Sequence, residues 1–462
     1  MASSSPFFRH VSTYKVKPPP QPRTRFQLST WDLAMVSVYY IQKGLLFSNH
    51  LQPHLTIADV VERLKTSLSA TLVHFYPLAG RLFTEEARDE QGNVTGIYIS
   101  IDCDGQGAEL IHVVAEGITV ADVLSPSTDV PPFVNSFFPY DKAVNYDGHV
   151  IPLLAVQLTE LSDGFFLGCC FNHAVGDGTS YWMFFNAWAE IARAGGVAAE
   201  LSRSPVHDRW FIDGDKESPI KLPFTRPDEF IARLPLPLYR ERIFHLSAGS
   251  IAQLKARANQ ECGMTSISSL QSISSLLWRC ITRARGFPPE QITRCRVAAQ
   301  NRSRLNPPLS PDYFGNAIYA IPAATTVGEL LAHDLGWAAR LVHETVGGHT
   351  DSAIRKAVAA WMAAPVIYRV DMFDPFSVMM GSSPRFDVYG CDFGWGKPVA
   401  ARSGTAHKFD GKVTFYAGRE GGGSMDLEIC LEPPFMRALE EDEEFMSVVS
   451  PPLEKWITSE TR

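Results

Sequence analysis

The segment FNHAVGDGTS, Phe171 to Ser180, places His173 four residues before Asp177, with glycines and small residues packed around the two. An imidazole titrates near neutrality, so it can take a proton from an attacking alcohol or amine and return it to a leaving group. The aspartate has two available roles: orienting the imidazole as in a triad, or turning away to pair with an arginine and hold the loop. Gly176 and Gly178 mark a tightly turned backbone, which suits the second role at least as well. Of the 13 histidines, only His173 has an aspartate at this spacing. A buried, hydrogen-bonded histidine with no part in chemistry is the competing reading of the same residues. A second stretch, CDFGWGKP from Cys391 to Pro398, sets two glycines around Trp395, closes with a proline, and places Asp392 to cap a turn. It reads as a structural loop. A kinase reading of Asp392, Phe393 and Gly394 fails for want of a glycine-rich loop with its strand lysine and of a catalytic-loop aspartate.

The elements that must carry these residues follow from hydrophobic patterning. PLLAVQLTELSDGFFLGCCFNHA reads as a hairpin turning at Ser162, Asp163 and Gly164. Its second strand, FFLGCCF, is apolar on both faces, so it is central and delivers His173 at its C-terminal end. SYWMFFNAWAEIARAGG is a helix closed by two glycines, giving strand, tight turn and helix around the motif. Upstream, HVSTYKVKP suits an edge strand stopped by PPPQP, Trp31 to Phe47 a short helix followed by a strand, and Ile57 to Phe75 an amphipathic helix. GNVTGIYISID and AELIHVVAEG read as strands. The proline- and charge-rich stretch from Leu201 to Pro237 marks the crossing between two domains. Beyond it, FHLSAGSIAQLKARANQ and SISSLQSISSLLWRCITRARG predict strand, helix and helix; CRVAAQNRSR a strand; VGELLAHDLGWAARLVHETV one helix; KVTFYAG and SMDLEICLE paired strands. The division is therefore residues 1–200, a crossover at 201–237, and residues 238–462.

Composition bounds the function. A chain of 462 residues exceeds one ordinary core, and 45% hydrophobic with 20% charged residues is the balance of a folded protein. The net charge of -8 argues against a nucleic-acid partner. The 8 cysteines form no paired CxxC ladder and no Cys/His zinc spacing, which predicts reduced thiols in the cytoplasm and no metal. No run of 18 apolar residues predicts a membrane span. Arg9, Lys15, Lys17, Arg23 and Arg25 precede the first acid, Asp32, a composition similar to that of a transit peptide; the edge-strand reading competes with it.

HAVGD and DFGWG, in that order, resemble the two signatures of the plant BAHD acyltransferases, which use coenzyme A thioesters. LSTWD at Leu28 to Asp32, YPLAGRL at Tyr76 to Leu82 and NRSRLNPPLSPDYFGN at Asn301 to Asn316 extend the resemblance over nearly the whole chain. It implies an α/β fold of two similar chloramphenicol-acetyltransferase-like domains with mixed sheets, joined by a long crossover. A channel between them would take acyl-CoA from one face and an alcohol or amine acceptor from the other, in a monomer with no permanently bound cofactor. His173 is then the general base, and Asp177 turns away to pair with Arg302. Gly178 belongs to the tight turn, and Gly394, Trp395 and Gly396 to a loop in which Asp392 is either a second proton acceptor or, as its turn chemistry favours, structural. The CoA phosphates are implied near TSISSLQ, with Ser266 and Ser268 as candidates and Lys255, Arg283 and Arg285 as nearby charges. A solvated helix face is the competing reading of those cations.

One departure from the family stands out. Where many members carry Thr-Ser-Trp ahead of DFGWG, this chain reads Gly381, Ser382, Ser383, Pro384. Oxyanion stabilisation then falls to Ser382, Ser383, backbone donors or water, beside a wider pocket. Members that grip shikimate or quinate use an upstream arginine; Arg369 lies nearby, in a register that does not assign that acceptor. Trp31, Tyr39, Tyr40 and Phe47 are candidates for an aromatic acceptor wall, with plain core as the alternative. Two other functional readings stay open: Cys169 or Cys170 as a covalent nucleophile, and a non-catalytic relative that only binds a ligand.

Overall fold

The strand Gly164–Phe171 is buried at every position, as an apolar run without polar alternation requires. It pairs antiparallel with Leu154–Leu161 on one side and with Ile41–Ser48 on the other. Leu154–Leu161 runs parallel to Ala108–Glu116, whose outer neighbour is the edge strand Phe7–Val16. The far edge is closed by Ala400–Ser403, antiparallel to Ile41–Ser48. Helices Ile57–His74 and Gly178–Arg193 bury Leu64, Leu68, Phe184 and Trp188 in one core with Leu45, Phe47 and Leu167 of this sheet. The computed structural model describes residues 7–48, 56–124, 128–196, 200–214, 219–233, 238–406 and 408–451. Residues 1–6 of the leader-like segment, and 215–218 and 234–237 of the expected crossover, lie outside the described residues.

The second six-stranded sheet has the order Arg240–Leu246, Met425–Leu431, Lys412–Ala417, Val378–Gly381, Ile292–Gln300, Ile318–Thr326. The two pairings of Val378–Gly381 are parallel and the others antiparallel. Helices Ala248–Cys262, Ser269–Arg285 and Leu335–Gly348 cover one face, where Leu254, Trp278 and Ala339 meet Val413, Phe415, Leu427 and Ile429. A smaller sheet, Thr24–Gln27, Val94–Cys103 and Arg81–Arg88, takes Lys221–Leu222 of the crossover onto Val94–Cys103. The architecture is α/β, with mixed sheets in two domains and, among the described residues, no closed barrel.

Three sequence expectations change. The strand read as CRVAAQNRSR stops at Gln300, and Asn301 to Arg304 form a turn. The single helix expected from Val327 breaks at His333, which is extended, because Asp334 caps a new helix through the amide of Trp337 at 2.8 Å. The DFGWG loop, assigned to residues 238–462, packs in the core of the first domain: Val388, Cys391, Phe393 and Trp395 belong to it, and Ala400–Ser403 extends its sheet. A helix at Asp351–Ala363, capped by Thr350, was not expected.

Phe393 sits edge-on to Phe185 at 5.7 Å and Trp188 at 5.0 Å and stacks on Trp395 at 5.2 Å. Phe393→Ala should cost about 3–5 kcal/mol through the cavity it leaves, read as a lowered urea midpoint. An unchanged midpoint would place this loop outside the core.

Candidate active site

Phe171 ends the central strand, and the next residues are held by side-chain amides. The His173 amide donates to Asn145 Oδ1 at 2.7 Å, while Asn172 Nδ2 donates to the Asn145 carbonyl at 2.8 Å. His173 Nδ1 lies 3.1 Å from Asn316 Oδ1. Asn316 Nδ2 donates to Asp32 Oδ1 at 2.9 Å and to the His173 carbonyl at 2.7 Å. The Asn316 oxygen is therefore the acceptor, so Nδ1 of neutral His173 carries the proton and Nε2 carries the lone pair. Behind Asn316, buried Asp32 accepts from Arg209 Nε at 2.8 Å, and Arg209 also donates to the carbonyls of Phe314 and Val175. Burial holds the His173 imidazole below its ordinary 6.5, against opposing pulls from its own backbone, Asp177, Asn316 and Asp32. The ring is neutral and basic at pH 7.

Asp177 turns away from this ring. It caps the helix Gly178–Arg193 through the amides of Thr179 at 3.0 Å and Ser180 at 3.1 Å, and accepts the Ala317 amide at 3.1 Å. Arg302 closes a two-pronged pair with it at 2.7 and 3.0 Å, and also donates to the carbonyl of Gly315 at 2.9 Å. Burial by itself raises the Asp177 carboxyl, but Arg302 and the amides outweigh it and hold it below its ordinary 3.8. Ser180 tightens the junction, accepting from the Gly315 amide at 2.9 Å and donating to its carbonyl at 3.0 Å. Gly178 packs against Phe386, whose ring lies 3.3 Å from where a Cβ would stand. That contact brings the Ser382–Phe386 segment beside the start of the helix. Ser382 has a φ of 64°, and Ser383 Oγ accepts the Arg385 amide at 3.2 Å.

The other predicted residues divide. Asp392 is structural: one of its oxygens accepts the amides of Gly394 at 2.7 Å and Gly396 at 3.0 Å, in a turn whose glycines have φ of 99° and 109°. Its Phe393 and Trp395 neighbours lie in the core of the first sheet, which favours the structural reading of Asp392 over the proton-acceptor one. Arg283 and Arg285 are not a phosphate site. Arg283 pairs with Asp442 and Glu444, and Arg285, fully buried, with Asp410 and the Ser377 carbonyl. They lie at the C-terminal end of Ser269–Arg285, roughly 25 Å along the axis from its cap. Ser268 is that N-cap, boxed with Gln271; Ser266 meets His343 at 3.4 Å, and Lys255 is exposed on the preceding helix.

Tyr40 is core, its hydroxyl donating to the Pro152 carbonyl at 3.2 Å, and Phe47 is core against Phe165. Trp31 stacks on Trp210 at 4.8 Å and borders a small cleft with Tyr319, Trp361 and Tyr368. Tyr39 borders a cleft of about 590 Å³ with Tyr140, Asp147, Ile151 and Arg233. Arg369 makes a two-pronged surface pair with Asp371. Burial pushes the Cys169 thiol up to about 12 and Cys170 well above its ordinary value, which removes both as nucleophiles near neutral pH. Among the described residues no cluster of three His, Cys, Asp or Glu could hold a metal, and no helix is long and apolar enough to cross a membrane.

Asn316, Asp32, Arg209 and Asn145 were not singled out from the sequence as site residues. Asp32 and Asn316 stood inside LSTWD and the NRSR…YFGN stretch, but an amide that orients a histidine leaves no spacing signature.

Comparison with known proteins defines the class. A model of the Transferase family matches residues 10–446. An uncharacterised acetyltransferase of Arabidopsis thaliana is 37% identical over 92% of this chain and 94% of its own. The BAHD acyltransferase DCR of Arabidopsis thaliana is 36% identical over 94% of this chain and 92% of its own. The crystal structure of TRI101 of F. sporotrichioides complexed with coenzyme A and T-2 superposes with a TM-score of 0.72 at 18% identity, covering 92% of this chain and 99% of that one. The fold is that of acyltransferases. The chain belongs to the BAHD acyltransferases of the Transferase family.

Asp177→Asn removes the charge opposite buried Arg302 and should destabilise the chain by about 3–5 kcal/mol. Because the folded Asp177 titrates below 3.8, its contribution is complete above that value and is lost as pH falls through the lower, folded one. Denaturation of wild type and variant should therefore diverge at pH 7 and converge under strong acid. A constant gap down to low pH would contradict the ion pair.

Proposed function

We propose that this chain transfers an acyl group from a coenzyme A thioester to a hydroxyl or amine of a small-molecule acceptor, in a ternary complex, with His173 as general base. The observation that carries the reading is the orientation of His173: Nδ1–H directed at Asn316, the lone pair on Nε2, and an imidazole neutral at pH 7. Nε2 takes the proton of the acceptor as its oxygen or nitrogen attacks the thioester carbonyl. The carbonyl π electrons move to oxygen, giving a tetrahedral oxyanion. Its collapse breaks the carbon–sulfur bond, and the imidazolium returns the proton to the departing thiolate. No acyl-enzyme forms, in keeping with two buried, unreactive thiols.

Ser382, Ser383 and backbone donors beside the helix start are the proposed oxyanion partners. Lys255, Ser266 and Ser268 are the proposed contacts of the CoA phosphates, now without Arg283 and Arg285. Asp177 and Arg302 position His173 and touch neither substrate. Tyr39 and its cleft offer an acceptor approach. The family membership and the CoA complex of the fungal neighbour support this assignment of donor. The same reading makes the chain a cytoplasmic monomer of plant specialised metabolism, divided near the crossover at 201–237.

Free-thiol release from acetyl-, malonyl-, coumaroyl- and long-chain CoA against pooled alcohols and amines is the test. His173→Asn should lose about 10²–10⁴-fold of acceptor-dependent release without change in melting temperature. Equal release by wild type and variant would sink the mechanism. Asn316→Ala should lower kcat on the order of 10²-fold with a smaller change in KM, since it frees the ring to take the wrong tautomer. In wild type, kcat/KM should rise with pH through an apparent pKa below 6.5 and stay flat above it.

A further inference from the structure

A row of buried charge lies between the two sheets, outside the machinery described above. On Lys412–Ala417, Val413 and Phe415 take the helix-covered core, so alternation turns Lys412, Thr414 and Tyr416 to the opposite face. From the first sheet, Lys43 reaches across and donates to Tyr416 Oη at 3.0 Å. The Lys412 ammonium fills the space that a Cβ at Gly381 would take, next to Ser382. Among the described residues, Lys412 Nζ has no hydrogen-bond acceptor and no carboxylate within 4.0 Å. Lys43 and Lys412 nevertheless keep part of their surface accessible. Of the two ammonium groups, that of Lys43 has the Tyr416 hydroxyl as partner and that of Lys412 has none among the described residues.

In the rest of the seam, Glu428 acts on both lysines through space without an ion pair to either. Lys408 pairs with Glu241. Glu428 accepts from Tyr416 Oη at 3.4 Å and from Ser403 Oγ. Arg402 spends its donors on the carbonyls of Val123, Ala401 and Leu124. Four cations thus face two carboxylates. Burial lowers Lys43 and Lys412 to about 8, so both stay largely charged at pH 7; it raises Glu241 to about 7, whereas at Glu428 Lys408 and Lys43 outweigh burial and hold the carboxyl below its ordinary value. A partly desolvated cation with no carboxylate in contact is costly, and a bound anion relieves that cost.

The place relative to His173 is also fixed. Lys43 pairs in register with Cys169, four residues before His173, about 13 Å of extended chain. Tyr181, in the first turn of the helix that Asp177 caps, donates its hydroxyl to the Lys43 carbonyl at 2.8 Å. The lysines and His173 are thus held by the same strand pair and the same helix. We propose that Lys412 and Lys43 bind a carboxylate carried by one of the two substrates. The donor is then the half-thioester of a dicarboxylic acid, or the acceptor is a hydroxy or amino acid. This inference rests on the acyl-transfer reading for the name of the substrate, but its test needs no turnover.

Calorimetric titration of the full chain with malonyl-CoA and acetyl-CoA examines the donor; 4-hydroxybenzoate and its methyl ester examine the acceptor. In one arm the acid should bind about tenfold tighter than its neutral twin, and Lys412→Met should erase that preference while leaving the neutral ligand unaffected. Lys412→Gln serves the same purpose should the methionine variant not fold. The arm that shows the preference names the substrate. Equal affinities in both arms, or a preference that survives in the variants, overturn the proposal. A direct measurement on wild type uses acetic anhydride labelling of Lys412, mapped by mass spectrometry, with malonate or with chloride at equal ionic strength. Protection by malonate alone supports the carboxylate site, and equal labelling in both salts overturns it. Failure of both CoA esters to bind, with Lys412 still protected, would fell the acyl-transfer reading and leave the anion site standing.

Discussion

Asp177 and Arg302 meet where the two halves of the chain touch, both withdrawn from water. Such a pair costs several kcal/mol in desolvation unless hydrogen bonds occupy its remaining sites. Here three backbone amides and two guanidinium nitrogens converge on the carboxylate, and the guanidinium shares its other donors with the carbonyls of Tyr313 and Gly315. A fully hydrogen-bonded buried pair tolerates little displacement. It therefore sets the separation between the turn after the central strand and the segment Tyr313 to Ala317. Asn316, which holds the His173 ring and its carbonyl, rides on that segment.

The same segment carries Asn316, and through it a relay of neutral and charged groups reaches from Arg209 by way of Asp32 to the imidazole. The division of labour is economical in physical terms. The ion pairs stay away from the ring, where a carboxylate would raise its pKa and leave it protonated. A neutral amide selects the tautomer without that penalty. Burial then works in the useful direction, since it disfavours the charged form of a group that must begin uncharged. Arg209 comes from the proline- and charge-rich stretch read from the sequence as the crossover, so that stretch also helps hold the histidine.

Long periodic segments were legible in the sequence because their hydrophobic spacing is set by local geometry: the central strand, the helix after it, and the helices at 248–262 and 269–285. The HAVGD and DFGWG motifs located the histidine and the second loop. What escaped was whatever depends on contacts distant in sequence. Asn316 carries no titratable signature, and Ala400–Ser403 has too few residues to show a period. Arg283 and Arg285 resembled free cations, since their carboxylate partners lie more than a hundred residues on. Lys412 read as the polar start of a strand, and only the pairing of Lys412–Ala417 with Val378–Gly381 reveals that it stands beside Gly381.

The strand Ala400–Ser403 pairs with Leu46 through Lys43, near the opposite end of the chain. During synthesis from the N-terminus, the first sheet can assemble from Phe7 to Phe171 while that edge of Ile41–Ser48 still offers unpaired amides and carbonyls. An apolar strand with an open edge is a template for other chains. The nascent protein thus carries an adhesive border until most of its length has been translated, and a fragment ending at the crossover keeps that border permanently. Closure of the first sheet thus waits on the stretch of chain between Phe171 and Ser403.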